Sequence, residues 1–266
     1  MQGWWREISG LVLPVSCGGC GRPRTELCEE CRAVLYGGVP RRVRPDPEPA
    51  GLPVVHAAAP YENGVRGVLL AHKERGALGL AGALGRALAG AVRAGAERTG
   101  PAGPTGSAEP LLLVPVPSAR RAVAARGHDP TRRIALAAAA ELRRGGVPAR
   151  VVSVLRQRRV VADQAGLGAR QRERNLAGAL TVAAGGGRLL ATGRVVLVDD
   201  LMTTGASLAE AARAIGAECG YGRSAHGGEC ARAAHVNGRA AVVAASPLAF
   251  EINRNSLRSP IVAGSE

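Results

Sequence analysis

The residues with the most specific chemistry in this chain lie between Val195 and Ser207, in the run VVLVDDLMTTGAS. Asp199 and Asp200 are adjacent carboxylates that can accept hydrogen bonds from the two hydroxyls of a vicinal diol. The stretch Thr203–Ser207 then supplies three hydroxyl side chains and a glycine before a predicted helix, whose N-terminal N–H groups attract anions. Because the glycine lets the backbone approach a phosphate closely, the run predicts a binding loop for a ribose 5-phosphate.

This run has two simpler interpretations, of which only the first remains open. In one, an ordinary strand ends in two acids, and Thr or Ser caps the following helix. In the other, the apolar run and the acids form a Walker B element, which requires a GxxxxGK[ST] loop that the sequence lacks. Internal salt bridges that occupied Asp199 and Asp200 would also argue against a sugar-phosphate site.

Basic side chains near other predicted elements are expected to bind a pyrophosphate. Arginine binds phosphate oxygens through paired N–H groups, so an arginine-rich turn after a strand suits this ligand. Solvated arginines on a surface loop, and a lysine that only complements a helix dipole, are the alternatives. The residues assigned to pyrophosphate binding are Lys73, Ser118, Arg120 and Arg126.

The stretch from Arg156 to Arg174 is too polar for a core segment. Its charge suits a lid that closes over an anionic ligand. An exposed charged loop is an equally open interpretation. The predicted lid residues are Gln164, Arg170, Arg174 and Asn175.

Four cysteines near the start form two C-x2-C turns. Two such turns can present four thiolates to one tetrahedral Zn²⁺, and a site closed by four cysteines would be structural. Disulfides or a redox C-x2-C are the alternatives, and both fit a cytoplasmic protein poorly. The predicted zinc ligands are Cys17, Cys20, Cys28 and Cys31.

Apolar periodicity places strands and helices in alternation around these residues. Such alternation predicts an α/β fold with a parallel sheet covered on both faces and ligands at the carboxyl ends of its strands. The predicted strands are Val54–Pro60, Leu111–Val116, Val151–Leu155, 194–198 and Ala240–Ala245. The predicted helices are Val65–Lys73, Leu78–Val92, Thr131–Arg143 and Ser207–Ile215.

Charge and composition restrict the partners. The chain has 266 residues and a formal net charge of +14, which favours anionic partners such as nucleic acids or phosphorylated small molecules. Only 2% of residues are aromatic, which counts against a stacking platform for single strands. The sequence has no apolar run of membrane-spanning length, and we expect a cytoplasmic protein.

The run VVLVDDLMTTGASL resembles the phosphoribosyl pyrophosphate (PRPP) signature of type I phosphoribosyltransferases. Together with the paired C-x2-C turns, Lys73 and VPVPS, it also resembles the ComF family of competence-associated and GntX-type proteins. The chain departs from that family at His128-Asp129-Pro130, where relatives commonly carry an aromatic residue, Asn and Gln. It also departs at 218–237, which reads as an insertion.

The resemblance implies a type I phosphoribosyltransferase fold that binds PRPP with Mg²⁺ and transfers the phosphoribosyl group to a nitrogen acceptor. Asp199 and Asp200 would be the catalytic pair that holds the ribose hydroxyls. The implied PRPP-binding residues are Asp199, Asp200, Met202, Thr203, Thr204, Gly205, Ala206 and Ser207. The alternative is a non-catalytic accessory protein that handles single-stranded DNA, with DNA or a DNA-uptake helicase as partner. Type I relatives often form homodimers.

These expectations divide the chain into four parts. Residues 1–36 form a zinc-finger domain, 37–53 a linker, 54–250 the phosphoribosyltransferase domain and 251–266 a C-terminal tail. Within the third part, 218–237 is expected to be disordered. Four further Cys and His residues lie in that insertion, and a second metal site there is the lesser alternative.

Overall fold

The computed structural model describes residues 15–96, 109–159, 168–225 and 238–250. Helices and strands alternate through most of these ranges. The helices are α1 (Glu29–Tyr36), α2 (Asn63–Glu74), α3 (Ala81–Ala96), α4 (Arg120–Arg126), α5 (Pro130–Arg144), α6 (Ala169–Leu176), α7 (Gly186–Leu190) and α8 (Ala206–Ala225). The strands are β1 (Arg41–Val43), β2 (Val54–Pro60), β3 (Leu111–Pro115), β4 (Ala149–Val151), β5 (Leu155–Gln157), β6 (Leu180–Val182), β7 (Arg194–Met202) and β8 (Arg239–Ala245).

The central sheet in this part of the chain has six strands in the order β1-β2-β8-β7-β3-β4. The edge strand β1 is antiparallel to β2, and the other neighbouring strands are parallel. Strands β5 and β6 form a separate antiparallel pair. The prediction of an α/β fold with a mostly parallel sheet is confirmed.

Both faces of the sheet are buried, because successive side chains of a strand point to opposite faces. In β3, Leu111 and Leu113 belong to a hydrophobic cluster that includes residues of α1, α2, α3 and α5. Leu112 and Val114 belong to a second cluster, with residues of α7, α8, β5 and β6. The near-continuous apolar sequence of β3 follows from this double burial.

The chain reverses its direction of travel across the sheet between β3 and β7. It leaves β3 through α4 and α5 to reach β4 on one side, and it leaves β7 through α8 to reach β8 on the other. Such a switch point opens a crevice at the carboxyl ends of the two central strands, where open parallel sheets bind ligands.

Two predicted strands differ from the structure. The predicted strand Val151–Leu155 is wrong: β4 ends at Val151 beside β3, and β5 begins at Leu155 and pairs with β6 instead. The strand predicted at 194–198 continues to Met202, because β8 remains paired with it as far as Ala245. Both acids of the sugar-phosphate run therefore lie within β7.

The predicted segment boundaries also differ. Part of the predicted linker 37–53 is the edge strand β1, paired with β2. Cys17, Leu27 and Leu35 share a hydrophobic cluster with α2 and α3, so the cysteine-rich segment packs on the same core as those helices.

Helix α8 continues to Ala225, so residues 218–225 of the predicted insertion are helical. Its remainder, 226–237, lies outside the described residues, as does the predicted tail 251–266. In the part of the chain that the structure describes, none of the helices combines the length and the apolar character needed to cross a bilayer.

Candidate functional site

A cavity of about 720 Å³ opens at the carboxyl ends of β3 and β7. It is lined by residues from the end of α2, the β3–α4 turn, helices α4, α5 and α6, the β5–β6 pair, the end of β7 and the start of α8. The lining residues are Lys73, Val116, Pro117, Ser118, Ala119, Arg121, Ala122, Arg126, Thr131, Gln157, Leu176, Leu180, Asp199, Asp200, Leu201, Thr203 and Ser207. Predicted diol-binding, phosphate-binding and pyrophosphate-binding residues therefore surround one space.

The two acids reach this cavity because β7 extends beyond its neighbour β3. The last β3–β7 pair is Pro115 with Val198, and the N–H of Val116 still bonds the carbonyl of Val198 at 2.9 Å. By alternation, the N–H of Asp200 points to the same side, beyond the end of β3. Oδ1 of Asp199 accepts that N–H at 2.8 Å, which satisfies a backbone donor that the sheet no longer serves.

The two carboxylates of β7 interact with a lysine from α2 and a threonine from α5. Lys73 Nζ donates to Oδ2 of Asp200 at 2.8 Å, and Asp200 is 5% exposed. Thr131 Oγ1 lies 3.5 Å from Oδ1 of Asp199. An internal salt bridge thus engages one of the two acids, through a residue that was itself predicted to bind pyrophosphate.

Burial and the short distances between charges shift the pKa values of Asp199 and Lys73. Burial and the neighbouring charge of Asp200 raise the pKa of Asp199 well above its usual range, although the charge of Lys73 acts in the opposite direction. Burial alone lowers the pKa of Lys73, but the charges of Asp200 and Asp199 outweigh it and raise that pKa. The cavity floor therefore favours a proton, a cation or hydroxyl donors next to the two acids.

The segment Thr203–Ser207 follows β7 and runs into the first turn of α8, which begins at Ala206. Gly205 has a φ of +77°, in the left-handed region that glycine adopts readily. The loop borders a small space of about 20 Å³, which is also lined by Asp199, Leu201, Met202 and Leu208. The first N–H groups of α8 have no acceptor within the helix, so this turn presents donors where an anion was predicted.

The β1–β2 connection packs against this loop. A Cβ placed on Gly205 would lie 2.9 Å from Cδ1 of Leu52 and 3.5 Å from Pro45. The predicted linker therefore packs against the Thr203–Ser207 segment, a contact that its Pro- and Gly-rich sequence did not indicate.

Three of the four residues predicted to bind pyrophosphate line the cavity. Lys73, Ser118 and Arg126 line it, whereas Arg121 rather than Arg120 is the second arginine in its wall. Arg120 is exposed at the start of α4. Since successive helical residues point about 100° apart, the choice between these two arginines depends on how α4 is oriented.

The predicted lid is partly outside the described residues. Gln164 lies there, and Arg170 is in α6, with only its backbone position described. Arg174 is exposed, and Asn175 lies one residue before Leu176, which lines the cavity.

Three residues at the site were missed by the sequence analysis. Arg172 Nη1 donates to Oγ1 of Thr203 at 3.3 Å, which links α6 to the Thr203–Ser207 segment. Thr131 and Gln157 line the cavity. Arg172 is two positions from both predicted lid arginines, so only the phase of α6 could have distinguished it. Thr131 and Gln157 have no local sequence signal.

The four predicted zinc ligands lie together. Their four sulfur atoms all lie within 4.8 Å of one another, and the sulfurs of Cys20 and Cys28 are 3.6 Å apart. The four residues are Cys17, Cys20, Cys28 and Cys31. Tetrahedral zinc with Zn–S bonds of about 2.3 Å requires sulfurs about 3.8 Å apart. The donor set and spacing could hold a metal ion, as predicted.

Local structure lowers the pKa of one thiol in this cluster, that of Cys17, whereas burial raises the pKa of Cys31. Burial alone raises the pKa of Cys17, but hydrogen bonds from backbone N–H groups, including that of Cys28, outweigh it and lower the pKa to about 6. The N–H of Cys28 lies 3.4 Å from the Cys17 sulfur. A Cβ on Gly19 would lie 2.6 Å from the Cys31 sulfur, so the first C-x2-C turn requires glycine there.

The cavity thus combines two carboxylates, a helix N-terminus with hydroxyl donors and three cationic side chains. Such a set can bind a ligand that carries both hydroxyls and phosphates. No family model and no curated protein matches the chain, so its function has to be inferred from this cavity and the cysteine cluster.

Proposed function

We propose that this protein binds PRPP or a related ribose 5-phosphate ester in the 720 Å³ cavity and acts as a phosphoribosyltransferase of the ComF type. One observation carries the proposal: the Asp199–Asp200 pair and the Thr203–Ser207 loop border the same space at the switch point of a parallel sheet. This arrangement supports a type I phosphoribosyltransferase fold.

The proposed roles follow from the chemistry of each group. Asp199 and Asp200 accept hydrogen bonds from the ribose hydroxyls. The N–H groups and hydroxyls of Thr203–Ser207 bind the 5-phosphate. Lys73, Ser118 and Arg126 bind the pyrophosphate, with Arg121 as an additional cation in the same wall.

In the proposed reaction, a nitrogen lone pair forms the bond to C1 of the ribose while the C1–O bond breaks, and pyrophosphate leaves with the electron pair. Mg²⁺, which prefers carboxylate and phosphate oxygens, would reduce the charge on the pyrophosphate when both are bound. The protein contributes positioning and electrostatic stabilisation, since Lys73 and Arg126 face the leaving group. Neither Cys nor His is among the residues that line the cavity in the described part of the chain.

The Lys73–Asp200 salt bridge is compatible with this proposal only if it is shared with the ligand. Lys73 donates to Oδ2 of Asp200, so the other carboxylate oxygen can accept a hydrogen bond from a ribose hydroxyl. Lys73 is 33% exposed at its side chain, so its ammonium group can also contact a pyrophosphate oxygen. A salt bridge that no ligand opens or shares would argue against the assignment.

We further propose that the cysteine cluster holds one structural Zn²⁺. Four cysteine ligands fill a tetrahedral shell and leave no position for substrate. A reducing cytoplasmic location, in which thiols persist, is part of this proposal.

Calorimetry with PRPP and Mg²⁺ tests the function. We expect wild-type protein to bind with a dissociation constant in the micromolar range, and Asp200→Asn to bind at least about tenfold more weakly, since it loses a charged acceptor for a ribose hydroxyl. Glu141→Gln is the matched control, because Glu141 pairs with Arg144 and is not among the residues lining this cavity.

Two outcomes would contradict the proposal. One is a wild-type protein that binds no PRPP. The other is an Asp200→Asn variant that binds PRPP as well as wild type does. Salt-dependent binding to single-stranded DNA together with the first outcome would support the accessory alternative.

A further inference from the structure

Helix α2 ends with two charged residues, each of which pairs with a residue that lines the cavity. Lys73 contacts Asp200, as described above, and Glu74 contacts Arg126. The Glu74–Arg126 pair is bidentate: Arg126 Nε lies 2.9 Å from Oε2 of Glu74, and Nη2 lies 2.6 Å from Oε1. The carboxylate therefore uses two N–H groups of the guanidinium in the fork geometry that arginine also offers to a phosphate.

We propose that Glu74 is a specificity-determining residue that competes with the ligand for Arg126. A pyrophosphate carries enough negative charge to displace the carboxylate, whereas a single phosphate held at Thr203–Ser207 does not involve Arg126. Glu74 thereby lowers affinity for pyrophosphate without affecting a monophosphate sugar. This inference rests on the proposed function, because it takes Arg126 as a pyrophosphate ligand.

The position of Arg126 is fixed by contacts other than Glu74. The N–H of Gly127 bonds the carbonyl of Val123 at 2.9 Å and closes the end of α4. Nδ1 of His128 lies 3.1 Å from the carbonyl of Arg126, and the His128 ring packs edge-on against His72 with centroids 5.8 Å apart. Neutralising Glu74 should therefore leave the backbone of Arg126 in place.

Exposure makes an exchange of partners feasible. The Glu74 side chain is 45% exposed and can move into solvent, whereas the Arg126 side chain is 21% exposed and lines the cavity. Among the described residues, the Glu74 carboxylate has one ion-pair partner, Arg126. A ligand can replace it without disturbing the cavity wall.

Titration calorimetry with two probes, inorganic pyrophosphate and ribose 5-phosphate, at one fixed Mg²⁺ concentration tests the inference. Glu74→Gln should bind pyrophosphate roughly three- to fivefold more tightly than wild type, the range expected from removing a partly exposed ion pair. Its affinity for ribose 5-phosphate should stay within about twofold of wild type, because that ligand does not compete with a partly exposed pair. Glu141→Gln, which removes one carboxylate elsewhere, should leave both affinities unchanged.

A second background separates competition from a general charge effect. In Arg126→Ala protein, the additional Glu74→Gln change should give no gain for pyrophosphate, because the two effects are coupled through one contact. Circular dichroism of each variant establishes that it is folded.

Five results would overturn the inference. Weaker pyrophosphate binding by Glu74→Gln would mean that Glu74 positions Arg126. An equal gain for both probes, or a gain that persists without Arg126, would mean a nonspecific field effect. A wild-type protein that binds neither probe would overturn the proposed function along with this inference, whereas wild-type binding that Glu74→Gln leaves unchanged would overturn the inference alone.

Discussion

Lys73 Nζ and Asp200 Oδ2 lie 2.8 Å apart although 127 positions separate the two residues in the chain. The contact joins the last turn of α2 to the part of β7 that extends past β3. It places a lysine and a carboxylate, both proposed to contact ligand, in one ion pair. The stability of the fold and the chemistry of the cavity therefore depend on the same two side chains.

Replacing Lys73 by Met should destabilise the protein. Asp200, 5% exposed, would lose its cationic partner. We expect the free energy of unfolding to fall by about 1–2 kcal/mol, less than for a fully buried pair because Lys73 is one-third exposed. Urea denaturation measures this change.

The double variant Lys73→Met with Asp200→Asn controls for the lost pair. It removes the unpaired charge, so its loss should be smaller than the sum of the two single losses. Additive losses would mean that the ion pair contributes nothing to stability.

Replacing Asp199 by Asn should alter the pH dependence of stability. Burial and the charge of Asp200 raise the pKa of Asp199, so the folded state holds this proton more tightly than the unfolded state does. The contribution of Asp199 to wild-type stability should then fall as pH rises from about 4 through the folded pKa, with a slope of at most about 1.4 kcal/mol per pH unit for one proton.

Asn cannot ionise, so Asp199→Asn should gain stability relative to wild type as pH increases. Its Oδ1 can still accept the N–H of Asp200. Thermal unfolding between pH 5 and pH 8 measures the difference, with Glu141→Gln as the control for loss of one carboxylate. A stability difference that stays constant over this range would contradict the prediction.

Replacing Gly205 by Ala should weaken both stability and ligand binding. Its φ of +77° is unfavourable for alanine by about 1–2 kcal/mol, and the added Cβ would lie 2.9 Å from Leu52. The loop must shift to relieve this contact, which moves the N–H groups that are proposed to bind phosphate.

Gly146→Ala provides the matched comparison. Gly146 has nearly the same φ, +76°, and a Cβ there would meet nothing within 4 Å. In urea denaturation, Gly146→Ala should lose less free energy of unfolding than Gly205→Ala. Calorimetry should show that Gly146→Ala binds ribose 5-phosphate with the affinity of the wild type. Equal losses at both positions would mean that the Leu52 contact relaxes without cost.

Removing the proposed zinc should weaken ligand binding as well as stability. The carbonyls of Gly18 and Gly19 approach Gly67 closely, so the first C-x2-C turn packs directly on α2, whose far end carries Lys73. We expect about one zinc per chain by elemental analysis, and chelation should lower the melting temperature by at least about 5 °C.

Calorimetry before and after chelation tests the link to the cavity. The affinity for PRPP should fall when the metal is removed and return when zinc is added back. Cys31→Ser should reproduce the chelated state, since Cys31 is buried in the shared core. Unchanged affinity after complete zinc removal would mean that α2 keeps its position without the cluster.

Where one short segment carries the chemistry, sequence alone was sufficient to identify the candidate residues. Asp199, Asp200 and the Thr203–Ser207 loop are contiguous, because a strand, a turn and a helix N-terminus use consecutive residues to build one half of a site. The four cysteines could be identified in the same way, because two short turns supply all the candidate metal ligands. Hydrophobic periodicity likewise predicted β2, β3, β8 and the first part of β7, which form the centre of the sheet, but it misplaced the strand at Val151–Leu155.

Tertiary structure alone decided which distant side chains complete the site. The order of β3, β7 and β8 sets how far β7 extends, and so whether both acids border the cavity. Helix phase selects Arg121 over Arg120 and Arg172 over its neighbours, because adjacent helical residues point in different directions. Glu74 and Lys73 acquire their partners only when α2 docks beside β7 and α4, since attraction between charges depends on distance in space and not on separation along the chain.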